Sequence, residues 1–296
     1  MRIGVLRGGT DENYENSLEQ GGDFISFVFD NMSSAYTTVD ILVDRDGVWH
    51  IGGLPILPAE LLKKVDVVWN ASHPSFSNTI KNFSIPTIGV PSYYSFMNSS
   101  REMLREHMKQ IGIKMPRHII LPAYQADFDD PREEYAITKA KEIHAKFGAP
   151  WLVSTFPPSP NVGIRVAKTF GELAEAIDEL MKKGESILIE ELITGKDAQV
   201  HSVGGFRGED IYTMPIAGLS GAEKEKLTAL AEDLYRHTGA SSYMNSHFIV
   251  HPRGAIYLTD IQFSPDLAEG SNFCQACELI GAKPSHIIEH LLAQVL

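Results

Sequence analysis

The chain has 296 residues, of which 43% are hydrophobic and 22% charged, with a formal net charge of -12. That length suits two or three packed lobes rather than one core, and the acidic balance, without any lysine or arginine run, excludes a surface built for nucleic acid or anionic membrane. Two cysteines exclude a disulfide framework, no apolar run approaches the roughly 20 residues of a membrane helix, and Met1-Arg2-Ile3-Gly4-Val5-Leu6 reads as a buried strand rather than a signal peptide, so the expectation is a cytoplasmic protein.

Strands are predicted at Ile3–Leu6, Ile41–Val43, Val65–Trp69 and Thr87–Val90. The last two are continuous apolar runs, as in parallel strands covered on both faces. Val68-Trp69-Asn70 runs into a polar turn at Ser72-His73-Pro74, and in such sheets ligands collect at the C-terminal strand ends. The segment Ala123–Asp130 is the most linker-like. Asp130 as N-cap, Pro131 at the first helical position and Glu133 and Glu134 behind it open a helix, with Ile137, Ala140, Ile143 and Phe147 as its apolar stripe and Gly148 closing it. Strands follow at Trp151–Val153 and Gly163–Ala167. Thr169 with Glu172 forms a capping box ahead of Leu173, Ile177 and Leu180, and Ser220 with Glu223 repeats it ahead of Leu227, Leu230 and Leu234. Further strands are expected at Ser186–Glu190, Ala198–Val203, His247–Val250 and Ala255–Asp260. Cys274 and Cys277 fall in a helical stretch and read as small core residues or as a redox or metal pair.

Several motifs along this path carry chemistry. Gly8-Gly9-Thr10 precedes Glu15, Ser17 and Leu18; Asn70-Ala71-Ser72-His73 ends a strand; Ile187-Leu188-Ile189-Glu190-Glu191 is followed by Thr194-Gly195-Lys196-Asp197; Leu258-Thr259-Asp260-Ile261-Gln262-Phe263-Ser264-Pro265 lies near the C-terminus. On these residues the chain resembles the D-alanine–D-alanine ligases of the ATP-grasp superfamily, over essentially its whole length. The resemblance implies an α/β fold: an N-terminal parallel-sheet lobe (residues 1–95) and a two-lobed ATP-grasp body (96–190 and 191–296). It implies ATP-dependent joining of a carboxylate to an amine through an acyl phosphate, D-Ala-D-Ala for peptidoglycan, with Mg²⁺. It also implies small amino-acid or dipeptide substrates and pairing into homodimers. Glu15, Ser17, His73 and Ser271 would be substrate-side residues. Arg101, Ser154, Glu190 and Asp197 would face ATP, with Glu190 at the adenine and Asp197 accepting both ribose hydroxyls. His247, Asp260 and Gln262 would stand at the metal.

Five departures from the family pattern bear on activity. Ser154 stands where a phosphate-binding lysine is expected, and Arg165 or Lys168 on the next strand is the candidate replacement. Pro157-Pro158-Ser159-Pro160 replaces a glycine- and serine-rich phosphate loop, although prolines lack the N–H groups such a cradle needs. His247 brings nitrogen where Mg²⁺ prefers an anionic oxygen. Asn245 stands near an expected arginine, and Ala217-Gly218-Leu219 leads straight into the Ser220 helix where the family carries a closing loop. Two readings stay open: a ligase, or a silent relative that binds nucleotide or a partner without turnover.

Overall fold

The computed structural model describes residues 1–11, 13–156, 163–216 and 218–296. By internal contacts the chain divides into two units, one made of 1–113, 197–248 and 259–296, the other of 114–196 and 249–258.

The first unit begins with six strands: β1 (Arg2–Gly8), β2 (Thr37–Val43), β3 (Trp49–Ile51), β4 (Leu54–Ile56), β5 (Val67–Asn70) and β6 (Thr87–Ile88), in the order β4-β3-β2-β1-β5-β6. The β2-β1-β5-β6 portion is parallel, and β3 and β4 add antiparallel to its edge. All four residues of β5 are buried, the pattern of a strand covered on both faces. The helix Tyr14–Met32 packs Phe24, Val28 and Met32 on this sheet, and Phe24 stacks on Trp69 at 4.0 Å between ring centroids.

In that second unit, β7 (His118–Leu121), β8 (Trp151–Phe156), β9 (Arg165–Ala167) and β10 (Ser186–Glu191) form an antiparallel sheet in the order β7-β10-β8-β9. Alternation along β8 sends Trp151, Val153 and Thr155 inward and leaves Leu152, Ser154 and Phe156 on the other face. Ile187 and Ile189 of β10 join the inward set, against the helices Arg132–Lys146 and Phe170–Met181. Thr169 caps the second of these by accepting from Glu172 N, while the Glu172 carboxylate takes Lys168 N–H at 2.7 Å.

The first of these helices departs from expectation by one residue. Pro131 is its N-cap and Arg132 its first residue, so Asp130 lies outside. Ile137 is 43% exposed, because Tyr135 and Ala136 turn the buried stripe onto themselves, Ala140 and Ile143. A helix's phase follows its largest anchored side chain, here Tyr135, which meets Tyr124 edge-on.

The chain then lays down β11 (Lys196–Gly204), β12 (Ile211–Thr213), β13 (Tyr243–Val250) and β14 (Ile256–Gln262), in the order β12-β11-β13-β14. The helix Gly221–Thr238 opens on the expected capping box, with Ser220 Oγ accepting from Glu223 N and Glu223 accepting from Ser220 N, and closes on Gly239 in the left-handed region. The C-terminal helices Asn272–Leu279 and Pro284–Val295 complete the first unit. Phe273, Ile287, Ile288, Leu291 and Leu292 share one core with Ile3, Val5, Phe24 and Trp69 of the N-terminal sheet and with Val203 and Tyr243. Among the described residues no helix is long and apolar enough to cross a membrane.

Candidate functional site

A cavity of about 880 Å³ opens at the C-terminal ends of the parallel strands, within the first unit. Its floor is built by two interlocked turns. At the end of β1, Gly8 and Gly9 take positive φ (84° and 130°), and a Cβ on Gly8 would stand 2.2 Å from Val43 O, so only glycine fits. At the end of β5, buried Asn70 accepts from Ser72 N and donates to Ser77 Oγ, and Ser72 Oγ donates to Gly8 O at 2.6 Å. The Gly-Gly turn and the Asn-Ala-Ser-His turn are thereby locked to each other.

This frame orients His73. Its Nδ1 accepts the Ser75 backbone N–H at 3.2 Å and lies 2.7 Å from Ser75 Oγ, which leaves Nε2 as the N–H of the neutral ring. His73 lines the cavity together with Ser17, Asp260 and Gln262. Ser17 Oγ accepts from Gly8 N at 2.9 Å, and Gln262 Nε2 donates to Asp260 Oδ2 at 3.1 Å. Tyr94, another wall residue, has its hydroxyl pKa pushed up by burial and by the Asp260 charge, an effect that Arg101 opposes.

The other substrate-side candidates lie elsewhere. Glu15, in the first turn of its helix, donates no group to the lining: its carboxylate accepts from Arg45 at 2.8 Å, and Arg45 also sits over the Tyr14 ring. The Ser271 hydroxyl caps the helix Asn272–Leu279 through Cys274 N and donates to Asp266 O at 2.7 Å. Arg101 is the first residue of the helix Arg101–Gln110, capped by Ser100, and is not among the lining residues.

In the second unit, Ser154 and Glu190 share a face. Ser154 pairs with Leu188 in the β8–β10 register and Glu190 with Leu152, all on the side of the sheet away from its helices. Arg165 points the opposite way, beside Trp151 and Val153, and forms an ion pair with Glu179 of the helix Phe170–Met181. Arg165 is therefore already neutralised on the wrong face to stand in for a lysine at Ser154, and Lys168 remains as the candidate. Glu191 is held by Arg117 through two bonds of 2.8 Å. The hinge glycine has a packing reason: a Cβ on Gly195 would meet Val250 O at 2.3 Å. Asp197 is exposed at the start of β11. The proline segment 157–160 lies outside the described residues.

The donors at the expected metal positions are already engaged or too few. His247 Nε2 lies 2.8 Å from Asn245 Nδ2, which can only donate, so that ring nitrogen is spent as an acceptor. Asp260 supplies a single carboxylate, shared with Gln262. Among the described residues no three of His, Cys, Asp and Glu come together to hold a metal. Mg²⁺ wants several hard oxygens in near-octahedral array, so these residues do not fit a pair of such ions. Cys277 is buried, which pushes its thiol pKa up to about 12, and this is the state of a core cysteine rather than a redox one.

Two features here were not anticipated. Besides the expected Ser17, the helix Tyr14–Met32 and its approach turn Asn13, Asn16, Gln20, Asp23 and Phe24 to the cavity, a spacing of three and four residues that forms one helical stripe. Beneath the third sheet, His201 is buried to 3% exposure with Nδ1 2.8 Å from Tyr243 Oη. Burial, and secondarily the nearby His247, push its pKa down to about 4, against a backbone hydrogen bond at Asn272.

No protein-family profile matches the chain. It is similar to the D-alanine–D-alanine ligase of Geotalea uraniireducens, 23% identical over 315 residues, covering 99% of this chain and 94% of that one. Among solved structures it is similar to D-alanyl-alanine synthetase A from Vibrio cholerae, with a TM-score of 0.73, 15% identity and coverage of 100% and 98%. It is also similar to the D-alanine–D-alanine ligase from Coxiella burnetii, with a TM-score of 0.73, 15% identity and coverage of 100% and 95%.

Proposed function

We propose that this chain, which resembles D-alanine–D-alanine ligases from end to end and shares their α/β ATP-grasp fold, is a small-molecule-binding protein of ligase descent that keeps a ligand cavity at the strand ends and has given up the handling of phosphate and metal. One observation carries the reading: Ser17, His73, Asp260 and Gln262 line a single cavity of about 880 Å³, a size suited to a whole small ligand. In it, His73 Nε2–H offers a donor to a ligand carboxylate or carbonyl, and the carboxylates offer acceptors to an amine.

Acyl phosphate formation depends on neutralising phosphate charge. A lysine replaced by serine removes roughly 4 kcal/mol of attraction at about 4 Å and an effective dielectric of about 20. Ser154 has that deficit, Arg165 does not repair it, and the His247–Asn245 bond takes a further position away from the metal. A second reading, an active carboxylate–amine ligase, is favoured by Glu190 and Asp197, which fit the adenosine-gripping motif. The full chain incubated with ATP, Mg²⁺ and a panel of amino acids and amines distinguishes the two. The first reading expects no phosphate release above background, and nucleotide binding in calorimetry strengthened by Ser154→Lys. Amine-dependent, Mg²⁺-dependent ADP formation by the native chain would establish the second.

A further inference from the structure

The lining of the cavity carries an unbalanced charge. Asp11, Asp23, Asp260 and Asp266 line it, and among the described residues no lysine or arginine does. The basic residues that precede and follow the Gly-Gly turn are already used: Arg7 is bound to Asp40 and Arg45 to Glu15. None of the four aspartates is in an ion pair among the described residues.

From this we infer that the cavity takes an extended organic cation, a diamine or a basic amino acid with its side chain charged, an inference that rests on reading this cavity as the ligand site. The positions of the carboxylates argue for an extended ligand over a metal ion. Asp11 lies just after β1, Asp23 midway along the helix Tyr14–Met32, Asp260 within β14 and Asp266 beyond it. A divalent ion needs its oxygens converged on one point, and no three acidic or imidazole groups do so among the described residues. Charges spread around about 880 Å³ match cationic ends held apart by a hydrocarbon chain. Phe24, Trp69 and Tyr94 give that chain an apolar wall, and aromatic faces also attract ammonium groups. A dicarboxylate of the same length would meet four like charges in the lining, against the single charge of Arg101 behind Tyr94.

The test is calorimetry on the full chain without nucleotide, using putrescine, n-butylamine, succinate and MgCl₂ as probes. Putrescine is expected to bind about tenfold more tightly than butylamine, succinate to give no binding heat, and the putrescine affinity to fall several-fold as salt rises from about 50 to about 300 mM. Asp23→Asn and Asp266→Asn, checked for an unchanged unfolding temperature, are each expected to weaken putrescine roughly threefold or more. The proposal is overturned if succinate binds as well as putrescine, if putrescine and butylamine are equal, if Mg²⁺ binds tightly and expels putrescine, or if no probe binds at about 10 mM, a level that detects even weak ligands. Because no nucleotide is present, failure here leaves the phosphate-release test standing, and a silent phosphate assay leaves this one standing.

Discussion

Acidification should unfold this protein partly through one buried ring. His201 is neutral in the fold, with a pKa of about 4 against an ordinary 6.5. Between those values the unfolded chain binds more protons than the folded one. Stability from this residue is therefore complete above about pH 6.5, falls as pH drops, and is fully lost below about pH 4. From these two pKa values, the loss from about pH 7.5 to about pH 4.5 is about 2 to 3 kcal/mol, a large share of a typical domain's margin. Its 3% exposure means solvent screening does little to reduce it. His201→Gln keeps an acceptor for the Tyr243 hydroxyl and removes the titration. Urea unfolding of both chains at the two pH values isolates the effect, since every carboxylate is common to them. The variant should lose about 2 to 3 kcal/mol less on acidification than the native chain. Equal acid losses would refute the assignment of a neutral, desolvated ring.

Three further outcomes follow from the geometry. Gly8→Ala should destabilise the first unit by about 3 kcal/mol or more, because it adds a clash to an unfavourable φ, while Gly52→Ala, at positive φ with nothing within 4 Å of its Cβ, should cost about 1 kcal/mol; urea midpoints compare them. Trp151→Ala should cost about 3 to 5 kcal/mol in circular-dichroism melts, since the ring is fully buried and donates to Phe147 O. Ser220→Ala should remove about 1 kcal/mol by undoing a reciprocal cap, whereas Arg117→Ala should change stability by less than about 1 kcal/mol, its guanidinium being largely exposed.

What the sequence disclosed and what it hid divide along physical lines. Val67 to Asn70 and Thr87-Ile88 were legible because a strand buried on both faces needs an unbroken apolar run. The Thr169 and Ser220 caps were legible because a cap is a local contract among four residues. His73 was legible as a cavity residue because it lies in the polar turn beyond such a strand. The phase of the helix Arg132–Lys146 was not, because Tyr135 and Ile137 compete for one core and only the fold decides. The cavity face of the helix Tyr14–Met32 was hidden for another reason: Asn16, Gln20 and Asp23 at helical spacing look the same whether they meet bulk water or a walled ligand space. The engagement of Glu15 by Arg45 and of Arg165 by Glu179 depends on partners 30 and 14 residues away, and no local pattern announces it.

The core shared by Ile3, Phe24 and Trp69 with Phe273, Ile287 and Leu292 also sets a timetable. A chain emerging from the ribosome N-terminus first presents the parallel strands long before the two final helices exist, so the apolar side of that sheet waits uncovered through most of synthesis. The second unit, drawn mainly from 114–196, has its own hydrophobic cluster complete by Ile189. The middle of the chain thus holds a core it can close by itself, while its beginning still waits for its end.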